Sequence, residues 1–231
     1  GGAPLAMLTI RSSLLDINST NSPLLNGLIG GLLGGSLNLS VASWKGLAST
    51  NINLLSYLDQ LAIEVGLTAG DYNQLLNSDV QLTKLLDAAI KVLEKSGPAA
   101  TVALNGVKAI RLIASNTQIL KLGDLINIQN GTPSAGLNTD LKVLDLLQGV
   151  VQLANGNSAA TATINTTIPL IGAATLYVKV IEPPQMSVAG NPALAKADPT
   201  GPNQIFVQTA QVQTRVHLDL AIVRALKPLT D

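Results

Sequence analysis

Residues 79–95 read DVQLTKLLDAAIKVLEK, the most regular pattern in the chain. The apolar positions recur at the three- and four-residue spacing of one helix face, and the charged residues fall on the opposite face. Ser78 precedes the stretch as a capping residue, and Ser96-Gly97-Pro98 ends it. The pattern therefore predicts an amphipathic helix over residues 79–95 with its apolar face against a core.

Other segments with helical spacing lie on both sides of this one. They cover residues 53–65, 72–76, 99–114 and 140–154. Gly66 stands where a left-handed C-terminal cap would lie. In the last segment the polar residues Asp145, Gln148 and Gln152 are opposed by an apolar face. Together the segments predict a helical lobe over residues 50–157.

Four segments share a frame of apolar, any residue, apolar, three-residue gap, apolar. The frames begin at Ile52, Val80, Leu120 and Leu141. Two alternating apolar positions that lead into a helical spacing suit a short extended stretch that becomes helical. Subtracting the starting positions gives intervals of 28, 40 and 21 residues, which are too irregular for a solenoid. Chance in a leucine-rich chain is the alternative explanation.

Both ends of the chain have the alternating pattern of strands. Near the amino terminus, alternation over residues 37–42 predicts a strand, and a weaker alternation marks residues 6–10. Between them Pro23 follows Ser22 and opens a glycine-rich segment, residues 24–35, which predicts a short helix.

The final third of the chain predicts a hairpin and a long strand. Alternation over residues 161–168 and 175–180 indicates two strands, with a hairpin connection at residues 169–173. A proline-rich loop is predicted over residues 182–203. The strand over residues 210–220 follows, and a reversed apolar parity just before it predicts a bulge or register change near Gln208.

The order of strands, helices and strands predicts an α+β fold in one domain, residues 1–231. Its antiparallel sheet is built from the N- and C-terminal strands and packs against a central block of about four to five helices. The strand-rich parts are residues 1–49 and 158–231, and the helical lobe is residues 50–157. Two independent domains are disfavoured because each terminal strand group would have too few partners.

Composition excludes several classes of function. The 231 residues are 47% hydrophobic and 12% charged, with 14 basic and 14 acidic residues, one Trp, three Tyr, one Phe and no Cys. A net charge of zero and few aromatic rings disfavour nucleic-acid binding, and the lack of Cys excludes thiol catalysis and zinc ribbons. The apolar part of the uncharged stretch over residues 17–44 is shorter than a bilayer requires. A soluble chain is therefore predicted.

No catalytic, cofactor-binding or metal-binding residue is predicted, and the protein is not expected to be an enzyme. His217 is the only histidine and shares its strand parity with Arg215 and Asp219, as a solvated residue would. The segment 16–20, DINST, faintly resembles a cation loop, but a polar turn is the preferred interpretation. No phosphate loop, dinucleotide fingerprint or zinc-protease motif occurs.

The glycine-rich segment suggests close helix packing. Gly27, Gly31 and Gly35 recur at four-residue intervals, as do Gly30 and Gly34, a spacing that lets a helix backbone approach a neighbour. Packing within the chain is the first interpretation, and self-association or docking on a partner helix is the second.

Several short motifs occur in the order found in TadG-like proteins, which this chain resembles along most of its length. They are LLN at residues 24–26, LLGGSLNLS at 32–40, LGDL at 122–125, LANG at 153–156, VIEPPQ at 180–185 and TAQV at 209–212. IEPPQ followed by TAQV is the most distinctive pair. Gln208 stands where the family usually has an Arg.

The resemblance implies a pilus-assembly component of the bacterial tight-adherence system, which exports Flp-type pili, and a role in secretion and cell adhesion. It implies a periplasmic or cell-envelope domain held in the inner membrane by an anchor helix upstream of residue 1. The expected function is that of a non-enzymatic, minor-pilin-like or scaffold protein whose partners are other pilus proteins. An envelope adhesin is the alternative, and a hydrolase is a third class that no motif supports.

Overall fold

The structure is a computed structural model in which part of the chain is described. The described residues are 6–8, 22–115, 118–124, 126–127, 137–156, 161–168, 172–182, 185–190, 192–198, 207–208 and 211–220. The helices, in chain order, are α1 (Ser22–Leu33), α2 (Val41–Ser49), α3 (Leu54–Glu64), α4 (Tyr72–Asn77), α5 (Leu82–Lys95), α6 (Thr101–Ile113), α7 (Val143–Gly156) and α8 (Pro192–Ala197). The strands are β1 (Ala6–Leu8), β2 (Asn51–Asn53), β3 (Asp79–Gln81), β4 (Ile119–Lys121), β5 (Ile126–Asn127), β6 (Asp140–Lys142), β7 (Thr161–Ile168), β8 (Gly172–Glu182), β9 (Gln185–Gly190), β10 (Val207–Gln208) and β11 (Gln211–Leu220).

The fold is α+β, as predicted. One antiparallel sheet has the strand order β11-β8-β7, and a second has the order β1-β9-β10, with β5 added in parallel to β9. The first strand of the chain therefore pairs with a strand near its end. Two small antiparallel ladders, β2 with β6 and β3 with β4, lie within the helical part.

The core of the helical part consists of buried apolar side chains between packed helices. Helix α5 packs between α3 and α6, α2 packs on α6, and α7 lies against α1, α2, α5 and β8. The largest fully buried side chains are Trp44 and Tyr57. Helix α5 presents its apolar face to this core, as its spacing predicts, because a helix buries the stripe formed by its three- and four-residue repeats.

The strand predicted over residues 37–42 is wrong. Residues 36–40 are irregular and Val41 begins α2, with the Ser40 hydroxyl accepting a hydrogen bond from the Ser43 amide. The apolar alternation is real, since Leu39 is buried, but its backbone partner is a side chain of α1 instead of a strand. The segment predicted as strand-rich, residues 1–49, therefore holds two helices besides β1.

Two helices begin three residues later in the structure than the sequence pattern predicts. Helix α5 starts at Leu82 because residues 79–81 pair with β4, so Ser78 does not cap it. Helix α7 starts at Val143 because residues 140–142 pair with β2. The stop positions were predicted correctly: Gly66 and Gly97 both adopt positive φ, 81° and 80°, where a side chain would be strained.

The C-terminal third follows the predicted hairpin but not the predicted loop. Strands β7 and β8 pair antiparallel, as expected. The prediction of a proline-rich loop over residues 182–203 is wrong, because this range contains the strand β9 and the helix α8. Strand β9 pairs with β1, β5 and β10. The predicted register change near Gln208 lies slightly later: β10 pairs with β9, β11 pairs with β8, and the register shifts at Gln211.

Candidate functional site

The glycine-rich helix α1 packs inside its own chain. It lies beside β7, α6 and α7, and its residues Leu25, Ile29 and Leu32 are buried. A Cβ at Gly30 would stand 2.8 Å from the Gly35 carbonyl oxygen, a backbone atom that has no room to move. A Cβ at Gly35 would lie 3.1 Å from the Ile113 side chain. Gly30 is therefore held against the segment that follows its own helix, and Gly35, which lies beyond the end of α1, is held against α6.

Asn26 holds the segment between α1 and α2. Its Nδ2 donates to the Leu39 carbonyl oxygen at 2.9 Å, and its Oδ1 accepts from the Leu39 N–H at 2.8 Å. The same Oδ1 accepts from the indole N–H of the buried Trp44 at 3.2 Å. A side-chain amide carries both a donor and an acceptor, so it replaces a strand partner for one residue. This role could not be read from the Asn position in the sequence.

The four segments with the shared frame pair with one another. Ile52 lies directly opposite Leu141, and Val80 lies directly opposite Leu120. All twelve apolar positions of the frames are at most 4% exposed: Ile52, Leu54, Leu58, Val80, Leu82, Leu86, Leu120, Leu122, Ile126, Leu141, Val143 and Leu147. The predicted change from extended to helical backbone occurs in each, with a single 3-10 turn after β4. The frame is therefore a packing unit of the core.

The ladder between β2 and β6 extends symmetrically into its helices. The Leu54 N–H donates to the Thr139 carbonyl oxygen at 2.8 Å, and the Val143 N–H donates to the Thr50 carbonyl oxygen at 3.0 Å. In the second ladder the Leu82 N–H donates to the Gln118 carbonyl oxygen at 2.8 Å. The first residue of each of these helices thus obtains a backbone partner from the opposite segment, which satisfies an amide that a helix N-terminus leaves open.

Charged side chains join α5 to α6. The Arg111 guanidinium donates to both carboxylate oxygens of Asp87, at 2.7 and 3.1 Å, a bidentate pair about one-third exposed. Lys108 and Glu94 form a more exposed pair at 2.9 Å. The hydrogen bond and the charge of Lys108 lower the pKa of Glu94. The two ion pairs thus help to orient α5 relative to α6.

Two tyrosine hydroxyls serve as structural donors. The Tyr57 hydroxyl donates to the Leu85 carbonyl oxygen at 3.2 Å, and burial raises the pKa of Tyr57 far above its ordinary value. The Tyr72 hydroxyl donates to Asp59 at 2.7 Å. Burial, with the hydrogen bond and charge of Asp59, raises the pKa of Tyr72 as well. Both hydroxyls therefore stay protonated at neutral pH and tie α3 to its neighbours.

Helix α7 buries two glutamines of its polar stripe as well as its apolar face. Gln148 is 7% exposed and Gln152 is 2% exposed. The helical spacing correctly places these glutamines opposite the apolar face. Their side chains are nevertheless buried, so a polar helix face does not by itself indicate exposure to solvent. Helix α7 lies against β8 as well as against three helices, so these neighbours cover the glutamine side of the helix and leave Asp145 only partly exposed. A composition with one charged residue in fourteen is the property of the sequence that indicates this burial.

His217 lies in β11 opposite Thr175 of β8, and its neighbours Arg215 and Asp219 lie opposite Tyr177 and Ala173. In the described part of the chain, no group of three or more His, Cys, Asp or Glu side chains is close enough to hold a metal ion. The segment 16–20 lies outside the described residues. No described helix is both long and apolar enough to cross a membrane.

The two most distinctive motifs of the resemblance lie side by side. Glu182, at the end of β8, is in register with Gln211 at the start of β11. Gln185, at the start of β9, is in register with Gln208 at the end of β10. IEPPQ and TAQV therefore meet at Glu182 and Gln211, where β8 pairs with β11. The sequence distance between the motifs conceals this pairing.

Comparison with known protein families matches residues 21–159 to a domain of unknown function, DUF8293. The matched part is more than half of the chain and runs from α1 to the end of α7, so it contains both small ladders and stops before β7. No curated protein and no solved structure matches the chain.

Proposed function

Because the chain belongs to the DUF8293 family, a family without an assigned activity, we propose its function from the resemblance to TadG-like proteins and from the structure of the motifs that carry it. It is a non-enzymatic component of Flp-type pilus biogenesis, minor-pilin-like or scaffolding, and it acts by protein–protein contact in the bacterial cell envelope. The proposal combines the resemblance to TadG-like proteins with the arrangement of the motifs that carry it.

The register of the two motifs is the observation that carries the proposal. Glu182 of IEPPQ lies opposite Gln211 of TAQV, and Gln185 of IEPPQ lies opposite Gln208, the residue just before TAQV. Two short motifs that occur by chance have no reason to lie in register with each other on neighbouring strands. Their pairing supports the resemblance to TadG-like proteins, and the proposed function is the one that this resemblance implies.

The use of polar groups in the helical part favours contact over chemistry. The Asp87–Arg111, Glu94–Lys108 and Asp59–Tyr72 pairs each join two helices. Catalytic groups are recognised by convergence on a pocket with perturbed pKa values. The raised pKa values here belong to Tyr57 and Tyr72, whose hydroxyls already donate within the fold.

Other pilus proteins are the proposed partners, with self-association through the glycine-rich segment as a further mode. Gly31 is partly exposed, whereas Gly30 is buried against backbone. Gly31→Leu should therefore abolish a complex built on this helix while circular dichroism stays unchanged. Loss of the fold together with the complex would assign Gly31 to internal packing.

A gene deletion in the native bacterium tests the proposed function. The deletion strain should lack surface Flp pili in electron micrographs and should adhere poorly, and the wild-type gene should restore both. Pili of normal number on cells that still express pilin and secretion ATPase would overturn the assignment. Normal pili with lost adherence would point to the adhesin alternative, and fractionation should place the protein in the envelope.

A surface variant asks whether the segment over residues 182–203 makes the contact. Leu194 of α8 is 45% exposed, and Leu112 of α6 is 85% exposed on the helical part. We expect Leu194→Lys to reduce piliation at normal protein level and Leu112→Lys to leave it unchanged. Equal piliation in both strains would exclude α8 from the contact.

A further inference from the structure

Strand β11 is at the edge of its sheet among the described strands. It pairs with β8 from Gln211 opposite Glu182 to Leu220 opposite Gly172. Among the described residues, no strand pairs with its other edge. A ten-residue edge strand presents a row of backbone N–H and C=O groups that readily accept another strand. At the far side of the same sheet, α1 packs against β7.

The charges of β11 are self-complementary. Arg215 and Asp219 are its only charged residues at neutral pH, and each is two positions from His217. If two copies of β11 pair antiparallel with His217 at the centre, Arg215 of each copy lies opposite Asp219 of the other. No other antiparallel register between two copies opposes these charges. Directly opposed residues of opposite charge stabilise a strand pair, and like charges destabilise it.

The apolar positions fit the same register. Val216 would lie opposite Leu218 of the second copy, and Thr214 opposite Leu220, so residues 214–220 of both copies pair in full. These residues have the opposite strand parity to the charged ones. Val216, Leu218 and Leu220 of the two copies would therefore share one face across the junction, with Thr214 opposite Leu220 at each end.

From the edge of β11 that no described strand occupies and from the self-complementary register, we propose that a second copy of this chain pairs through β11. The result is a six-stranded sheet of order β7-β8-β11-β11-β8-β7 with a twofold axis at His217. A twofold interface is the common form of a homodimer, because each copy contributes the same surface. The inference stands independently of the pilus system, since it needs only the strand and its register.

Disulfide crosslinking of the full chain tests the register. The chain has no cysteine, so His217→Cys adds one thiol, which can pair only with that of another copy. Opposed residues of an antiparallel pair have Cα atoms roughly 4.5–5.5 Å apart, within the range for a disulfide. Gln213→Cys is the matched control, because in this register its two copies lie eight residues, about 27 Å, apart.

We expect rapid covalent dimer formation under mild oxidation from His217→Cys and little from Gln213→Cys, with both variants folded by circular dichroism. Equal crosslinking of the two variants, or none from a folded His217→Cys, would overturn the proposed register.

Charge reversal provides a second test that needs no crosslink. In sedimentation velocity the wild type should dimerise, and Arg215→Asp should weaken dimerisation by about tenfold or more, since two symmetric pairs become repulsive. Adding Asp219→Arg to that variant exchanges the charges and should restore the wild-type dimer. A monomeric wild type at its highest soluble concentration, or a folded double variant that stays as weak as the single one, would overturn the proposal.

Discussion

Asn26 and Leu39 exchange two hydrogen bonds, so a side chain of α1 occupies the place of a strand partner. The amide oxygen of Asn26 also accepts from the buried Trp44 indole. One residue thereby fixes both the segment that leads into α2 and the first large side chain of that helix. The apolar alternation around Leu39 exists without a sheet because this amide satisfies the backbone.

Asn26→Ala is expected to lower the free energy of unfolding by about 3 kcal/mol, because the Leu39 N–H and C=O and the Trp44 N–H lose their strongest partner in a largely buried place. Urea denaturation followed by circular dichroism measures the change. Asn38→Ala, an exposed asparagine in the same segment, is the matched control and should change the value by less than about 0.5 kcal/mol. Similar losses of stability in the two variants would contradict the role assigned to the hydrogen bonds of Asn26.

The bidentate Asp87–Arg111 pair should couple α5 to α6. A double-mutant cycle with Asp87→Asn and Arg111→Met is expected to give an interaction energy of about 1 kcal/mol, a value reduced by the one-third exposure of both side chains. The same cycle at the more exposed Glu94–Lys108 pair should give a smaller coupling. A larger coupling at the exposed pair would show that bidentate geometry does not govern this contact.

The Glu94–Lys108 pair predicts a pH dependence with a definite sign. Lys108 lowers the pKa of Glu94 below its ordinary value of 4.5 in the folded chain. A depressed carboxylate pKa contributes stability above the unfolded pKa, and that contribution is lost as pH falls through the folded pKa. The stability difference between wild type and Glu94→Gln should therefore shrink as pH drops below about 4.5.

Acid titration of urea midpoints measures this difference, and added salt should reduce it at neutral pH. In a Lys108→Ala background the difference should lose most of its pH dependence. An undiminished dependence there would assign the effect to another group.

Ile52 and Ile63 test the ladder between β2 and β6. Ile52 is 2% exposed and lies opposite Leu141. Ile52→Ala should therefore lower the free energy of unfolding by about 3 kcal/mol. Ile63 is 57% exposed on the adjoining helix, and the same change there should cost less than about 0.5 kcal/mol. Chemical denaturation gives both values, and a comparable loss at Ile63 would contradict the assigned core.

Local spacing was enough to predict most helices of the fold. The face of α5 and its stop at Gly97, and the stop of α3 at Gly66, follow from contacts within one or two turns of chain. The β7–β8 hairpin was predictable for the same reason, since its strands are neighbours in sequence. The motifs IEPPQ and TAQV were visible in the sequence, but the pairing of Glu182 with Gln211 was not.

The sequence by itself determined which positions are apolar and with what period, because burial of one face needs only that pattern. Tertiary structure alone decided the partners. Residues 79–81 extend because residues 119–121 pair with them, and β9 forms because three remote strands meet on it. Gln148 is buried because α7 lies against three helices and β8. The physical reason is that alternation records burial, whereas backbone hydrogen bonds require a partner that only the folded chain brings near.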